Sequence, residues 1–489
     1  MACVLGIDLG TGSAKAVLLD DGGQVVGRGT SEYPLHKPHP GWVEQDGEDW
    51  WNGLCVAARQ ALEGIDPAQV AGVGLSGQLN GAVFVDGDGR PLRRVPIWLD
   101  HRAQAECDWA QERAGDLLRE RAMAEVRPVH ALAKVLWLKA NDPAVYERTR
   151  WALLPKDWLR FRLTGGVAAE VSDASVTAAF DLYERTWSGE ILEALEIDAG
   201  LFPPMVDSPD VVGEVTDAAA TETGLAAGTP VVAGGGDMPC MILGSGVIEP
   251  GIVGLGIGTA AHATASAERL DPRAFGKLSP MCHPIPGKYA WLGCSFTGGA
   301  SLKWFRDEFG GSYEELTGAA AAVEAGAEGL FFMPWLEGRS TPRVDANVRG
   351  GFIGLSLRHT RAHMVRAVME GVVYDLRHLL DCFAGIDLPV RQLRIGEGGS
   401  HSELWRQIQA DVLGRDVVRL AIDDPSAVGA ALLAGVGTGV YDDFASACRQ
   451  VVELADTVHC NRERAVFYDR AFGRYAALYP ALQGWYANQ

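Results

Sequence analysis

The chain has 489 residues, 47% of them hydrophobic and 22% charged, and a formal net charge of −20. That length spans more than one domain and buries a large core without disulfide or metal staples, and apolar residues run along all of it, which excludes a disordered chain. So acidic a surface repels nucleic acid and anionic membrane, so neither is expected as a partner.

Residues 4–8 read as a short apolar strand, 14–19 as a second and 24–30 as a third. Asp20-Asp21-Gly22-Gly23 between the last two is a hairpin turn, because Asp and Gly tolerate positive φ. In 49–64, Trp51, Leu54, Cys55, Ala58 and Leu62 share one helical face. Residues 70–75 form a buried strand that stops at Ser76-Gly77-Gln78, and 83–85 form another before the turn Asp86-Gly87-Asp88-Gly89. The stretch 103–198 is mostly helical, most regularly at 131–139 and 155–163. Residues 216–224 read as a helix with Thr216 as N-cap and Gly224 as C-cap.

Near residue 230 the pattern restarts. A strand at 231–233 ends in Gly234-Gly235-Gly236-Asp237, and strands at 253–256 and 262–265 flank Gly258-Thr259. Gly254-Leu-Gly-Ile-Gly-Thr-Ala echoes Gly6-Ile-Asp-Leu-Gly-Thr-Gly-Ser, the mark of a duplicated domain. Helices are expected over 360–382, 402–413 and 424–437, and the two domains over 1–246 and 247–489. The nine cysteines include no C-x-x-C pair and read as free thiols of a cytoplasmic protein. The first residues lack a basic region and meet Asp8 too early for a signal peptide, and no run of about 18 apolar residues predicts a membrane span.

Four motifs carry chemistry. In Asp8-Leu-Gly-Thr-Gly-Ser-Ala-Lys15, Gly10 and Gly12 let backbone amides approach an anion, Thr11 and Ser13 add hydroxyl donors, and Lys15 adds positive charge. Asp8 at the strand end can hold Mg²⁺ through water. Gly256-Ile-Gly258-Thr259 repeats this chemistry, so two loops would close on one phosphate chain. In Gly396-Glu-Gly398-Gly399-Ser400, glycines would let an adenine ring lie against the backbone at a helix N-terminus. Asp237, after three glycines, is free to face a cleft and take a proton from a substrate hydroxyl as a phosphoryl group arrives. Each motif alone is also readable as a plain glycine turn. The turns lead from strand to strand, and no G-x-G-x-x-G opens a helix after a strand, which argues against a dinucleotide redox enzyme.

Taken together with Pro40-Gly-Trp-Val-Glu-Gln-Asp-Gly-Glu-Asp-Trp-Trp, Ser76-Gly-Gln, Leu154-Pro-Lys-Asp-Trp-Leu, Val171-Ser-Asp-Ala-Ser, Leu357-Arg-His-Thr-Arg-Ala-His and Leu404-Trp-Arg-Gln-Ile-Gln-Ala-Asp-Val-Leu-Gly, these stretches resemble the FGGY carbohydrate kinases, most closely the xylulokinases, along essentially the whole chain. The resemblance implies an α/β fold of two ribonuclease-H-like domains, of the actin and hexokinase type, with a cleft between them. It implies ATP and Mg²⁺, a small sugar or polyol substrate and a homodimer. By default the reaction is D-xylulose with ATP to D-xylulose 5-phosphate and ADP. It makes Asp237 the proton acceptor and Asp8 the metal-side acid, and puts Gln78, Leu79, Asn80 and Met238 at the sugar, with Trp98 and Asp100 near it. It adds Gly299 and Lys303 to the nucleotide pocket and Gly398, Gly399 and Ser400 to the adenosine site. The chain departs from the xylulokinase pattern at Asn80, usually His, and Met238, usually Asn, and carries Glu397 where relatives often have Gly. The first two changes point to another acceptor (ribulose, a tetritol or glycerol), or to D-xylulose as a poor one. A non-catalytic nucleotide-binding protein of the same fold is the other reading, and retention of Asp8 and Asp237 argues against it.

Overall fold

The computed structural model describes residues 2–487. Its first strands form an antiparallel meander, β1 (Cys3–Leu9), β2 (Ser13–Asp20) and β3 (Val25–Glu32). Gly23, at φ +80°, closes the second hairpin by donating its N–H to Asp20 O at 3.0 Å. β4 (Val70–Gly77) lies parallel to β1. With β5 (Val211–Glu214), β6 (Pro230–Val232) and the short β7 (Gly235–Gly236) beside β4, the order is β5-β6-β4-β1-β2-β3.

The second half repeats the plan. β8 (Gly251–Ile257), β9 (Ala261–Ala267), β10 (Ser279–Cys282), β11 (Tyr289–Ser295), β12 (Val390–Gly396), β13 (Val417–Leu420) and β14 (Leu454–Val458) are ordered β10-β11-β9-β8-β12-β13-β14. In each sheet the first strand has an antiparallel neighbour on one side and a parallel one on the other. Asp8 stands opposite Lys15 and Ser76 in the first sheet, and Gly256 stands opposite His262 and Gly396 in the second. The echo seen in the sequence is therefore a repeat of sheet topology.

Alternation along the strands sorts the faces. Cys3, Leu5, Ile7 and Leu9 share a core with Trp50, Leu54 and Ala57 of α1 (Gly47–Ala61). In the second sheet Val253, Leu255 and Ile257 share one with Val368 and Val372. The remaining helices used below are α2 (Ala131–Asn141), α3 (Pro155–Thr164), α4 (Asp217–Thr223), α5 (Asp237–Gly244), α6 (Gly299–Phe309), α7 (Arg361–Ala384), α8 (Glu403–Leu413) and α9 (Pro425–Gly437). As expected, α4 is capped by Thr216 and ends at Gly224 in the left-handed region.

The opposite face of the first sheet receives α9 from the far end of the chain: Val4, Val17 and Leu19 cluster with Ala427, Ala430 and Ala431. Gly6 permits this approach, since a Cβ there would lie 2.5 Å from Ala431 N and 2.9 Å from its Cβ. Gly244 of α5 meets α9 as closely, a Cβ there falling 2.8 Å from Gly429 N. Gly6→Ala should therefore destabilise the protein by about 1–3 kcal/mol, the usual cost of overpacking. An unchanged denaturant midpoint would contradict this packing.

One element departs from the sequence reading. The run from Gly234 reads as a strand end and turn, yet Asp237 opens α5, with Gly236 as its extended N-cap residue. Apart from Asp237 this helix is almost wholly apolar and mostly buried, so no polar face betrays its period. No helix among the described residues is long and apolar enough to cross a membrane.

Candidate active site

Asp8, at the C-terminal end of β1, accepts a 2.6 Å hydrogen bond from Ser76 Oγ on β4. Burial raises its pKa, the Ser76 bond and Lys15 oppose the rise, and Asp424 adds to it. The following loop is held from several sides. Gly10 N–H donates to Ser13 O at 3.0 Å, the Tyr33 hydroxyl donates to Gly10 O, and Gln45 Nε2 donates to Thr11 O at 2.7 Å. Trp98 Nε1 donates to Thr11 Oγ1 at 2.9 Å, which leaves the threonine proton free for another acceptor. Gln45 Oε1 in turn accepts from Gln78 Nε2 at 2.7 Å and from Trp50 Nε1 at 3.1 Å.

Asp237 lies at the N-terminus of α5, where Met238 N–H donates to its Oδ1 at 2.7 Å. Burial pushes its pKa well above the usual carboxylate range; the charges of Asp8 and Asp173 reinforce the rise, and the amides of Met238 and Leu79 oppose it. Such a carboxylate has the proton affinity of a general base.

Beneath it lies a fully buried ionic cluster. Lys156 Nζ is 2.7 Å from Asp157, 3.2 Å from Asp173 and 3.3 Å from Glu170, and Arg160 bonds Asp157 at 2.8 Å. Burial alone would lower the Lys156 pKa, and the three carboxylates overcome it and raise it. Three carboxylates facing two cations leave one negative charge in excess. Burial chiefly drives the Asp173 pKa up, with Asp157 and Glu170 adding to the rise and Lys156 opposing it. The cluster joins the site through Ser172, whose Oγ accepts from Gly236 N at 3.3 Å.

Around Asp237, Leu79 packs over Gly236, and Met238 packs against Met241, Ile242 and Val247. Gln78 is buried, with its Oε1 unbonded. Asn80 adopts φ +66°, and its Oδ1 accepts from Ala131 N at 3.2 Å, at the start of α2.

On the second sheet, Gly258 and Thr259 join β8 to β9. The start of α6 clasps them: Gly299 N donates to Gly258 O at 2.6 Å and Gly298 N to Thr259 O at 2.8 Å. Gly398–Ser400 forms a 3₁₀ turn, in which Ser400 N and Oγ donate to Glu397 O at 3.0 and 2.7 Å. A Cβ on Gly399 would fall 2.6 Å from that of Ile257, so only glycine lets this turn reach β8. Ser402 then caps α8. No group of three or more His, Cys, Asp or Glu suited to a metal occurs among the described residues. The lone Asp8 carboxylate still fits a cation of the Mg²⁺ type, which usually takes one or two carboxylates and leaves its other positions to phosphate and water.

This pairing of two glycine loops on repeated sheets has close relatives. Residues 3–244 match the N-terminal domain of the FGGY family of carbohydrate kinases, and residues 276–438 match its C-terminal domain. The chain belongs to this family. The xylulose kinase of Bacillus subtilis is 32% identical over 483 residues, covering 98% of this chain and 97% of that one. A glycerol kinase of Citrifermentans bemidjiense is 30% identical over 508 residues, spanning both chains fully. The crystal structure of xylulose kinase from Rhodospirillum rubrum has a TM-score of 0.91 at 30% identity, covering 99% and 100% of the two chains. The fold is thus the two-domain actin- and hexokinase-like one, and the chain is an ATP-dependent sugar kinase.

In this carbohydrate kinase several expected site residues have partners that the sequence did not reveal. Asp100 is the first. Its Oδ1 accepts from Arg102 N and Nε at 3.1 and 2.8 Å, and its Oδ2 accepts from Val43 N and an Arg102 terminal nitrogen at 2.7 and 2.6 Å. All four of its acceptor positions are filled, so it anchors the Trp98 loop and has none left for a substrate. Lys15 is the second: its ammonium is 2.6 Å from Asp424, at the start of α9. Lys303 bonds Asp307 one turn along α6, with most of its side chain in solvent. Conversely, His262 and Glu397 converge over Gly256, a pairing that sequence reasoning missed. Its one visible signal was an acidic residue inside a glycine run.

Proposed function

We propose that this kinase transfers the γ-phosphoryl group of ATP to a hydroxyl of a small ketose, with D-xylulose the acceptor that its relatives' names suggest. The observation that carries the proposal is Asp237: a carboxylate of raised proton affinity at a helix N-terminus, close enough to Asp8 to feel its charge. In this reading the sugar hydroxyl oxygen bonds to the γ-phosphorus as the bond to ADP breaks, and the hydroxyl proton passes to Asp237. Backbone amides at Gly12 and Ser13 and the Thr11 hydroxyl hold the phosphates from one side, with Gly10 fixing the turn through its bond to Ser13 O, and Gly258 and Thr259 hold them from the other. Gly299 borders the nucleotide, and adenosine lies against Gly398, Gly399 and Ser400. Asp8 would hold Mg²⁺ through water, and that cation would neutralise charge building on the phosphate oxygens. Leu79 and Trp98 shape the sugar side, and the buried Gln78 supports it from beneath through its bond to Gln45 Oε1.

A second reading, a different ketopentose or polyol such as ribulose, a tetritol or glycerol, is favoured by two side chains. Asn80 commits its acceptor oxygen to Ala131, and Met238 brings an apolar surface beside the base. A pocket that lacks a hydroxyl-bonding group discriminates differently from one that has it. ADP release measured over a panel of ketopentoses, tetritols and glycerol separates the two. D-Xylulose with the highest kcat/KM supports the first reading and removes the second. A better acceptor elsewhere in the panel does the reverse, and ATP binding without any phosphorylated product would sink both.

A further inference from the structure

Glu397 occupies a backbone conformation, φ +60° and ψ −168°, that only glycine enters freely. Strain of this kind is retained where the side chain is useful, and its position suggests how. The carboxylate folds back onto the second glycine loop: Oε2 lies 2.6 Å from where a Cβ on Gly256 would stand and 2.8 Å from one on Gly258. Strand register gives this place a counterpart. Gly256 corresponds to Asp8, and Glu397, the residue just after the adjoining β12, supplies a carboxylate that the motif on β8 lacks. Each glycine loop therefore has one acidic side chain beneath it.

The two acids are not equally compensated. Asp8 has the Ser76 hydrogen bond and feels Lys15. The Glu397 carboxylate accepts no hydrogen bond among the described residues. His262 Nδ1 is 4.0 Å away, and the side chain is 35% exposed. Arg394 and Asp423 share its small cavity. The Arg394 guanidinium, however, donates to Ser245 O and Gly246 O at 2.8 and 3.0 Å, while Asp423 pairs with Arg28 at 3.7 Å.

We propose that Glu397 determines nucleotide form: set against the loop that receives the phosphates, its uncompensated carboxylate rejects the free nucleotide anion and tolerates the nucleotide complexed with a divalent cation. This rests on the reading of Gly258 and Thr259 as a phosphate loop. Without a cation the phosphates meet a like charge; with one, much of their charge is neutralised before they reach it.

The test is calorimetric binding of ADP to the full chain, with Mg²⁺ and with EDTA, for wild type, Glu397→Gln and Glu397→Gly. The glutamine removes only charge. The glycine suits the backbone, so neither variant should lose its fold. The proposal expects both to bind metal-free ADP roughly fivefold more tightly than wild type, the order of one like-charge contact at about 4 Å under water-like screening. Affinity for Mg²⁺-ADP and KM for the sugar should stay within about twofold. Unchanged metal-free affinity in both variants would overturn it. A tenfold loss of Mg²⁺-ADP affinity in Glu397→Gln would also overturn it, by making the carboxylate an anchor for the complex. No ADP binding by wild type in either buffer would remove the nucleotide site itself, and this inference with it.

Discussion

Asp237→Ala should lower kcat by about 10²–10⁴-fold, the usual contribution of a positioned general base, with ADP affinity nearly unchanged. Turnover near the wild-type rate would remove Asp237 from that role. The side chain's surroundings add two further readouts. Burial and the charge of Asp8 raise its pKa above the ordinary value of 3.8, so activity should fall on acidification at a pH above the normal carboxylate range. Stability has the opposite sign. Because the folded state binds this proton more tightly than the unfolded chain, the group stabilises the fold at acid pH. That contribution is lost as pH rises from the unfolded pKa through the folded one. Ionising this carboxylate is thus a cost to the fold, and Asp237→Asn should be inactive yet melt at or above the wild-type temperature. A clear loss of stability in that variant would show that Asp237 holds structure instead.

Lys156→Met should destabilise the protein by about 3–5 kcal/mol, the range for breaking a buried ion pair by removing one partner. The substitution conserves much of the side-chain volume. What it removes is the cation facing Asp157, Glu170 and Asp173, all of them buried, and Arg160 alone cannot balance three carboxylates. Lys156 also lies under β4, where a Cβ on Gly77 would be 2.9 Å from its own, so disorder there would spread to Ser76 and Asp8. Chemical denaturation of wild type and Lys156→Met measures the loss. Asp173→Asn is the counter-experiment: it removes the excess charge, so at neutral pH it should cost little or stabilise. If Lys156→Met left the midpoint within about 0.5 kcal/mol of wild type, the cluster would not be the electrostatic support described.

Much of the fold was legible because its signals are local. The hairpin at Gly23 follows from the freedom of Asp and Gly in tight turns, α4 from its Thr and Gly caps, and the repeat of sheets from the echo between Gly6 and Gly254. The same holds for the two glycine loops: small residues between apolar runs mark tight connections between neighbouring strands, and a short string of letters carries that. α5 was illegible because a short, almost entirely apolar helix shows no polar face.

By itself the sequence determined the family and the two glycine loops between strands, and it singled out Asp8 and Asp237. Only the tertiary structure decided which side chains those groups meet. Lys15 finds Asp424 409 residues away, Asn80 turns its oxygen to a helix start 51 residues on, and α9 settles on the first sheet against Gly6. It also decided that a glutamate in a glycine run lies over Gly256. The physical reason is range. Turn propensity and periodicity act over a few residues, whereas the partner of a charge and the neighbour of a missing Cβ are set by how two sheets and the helices between them pack.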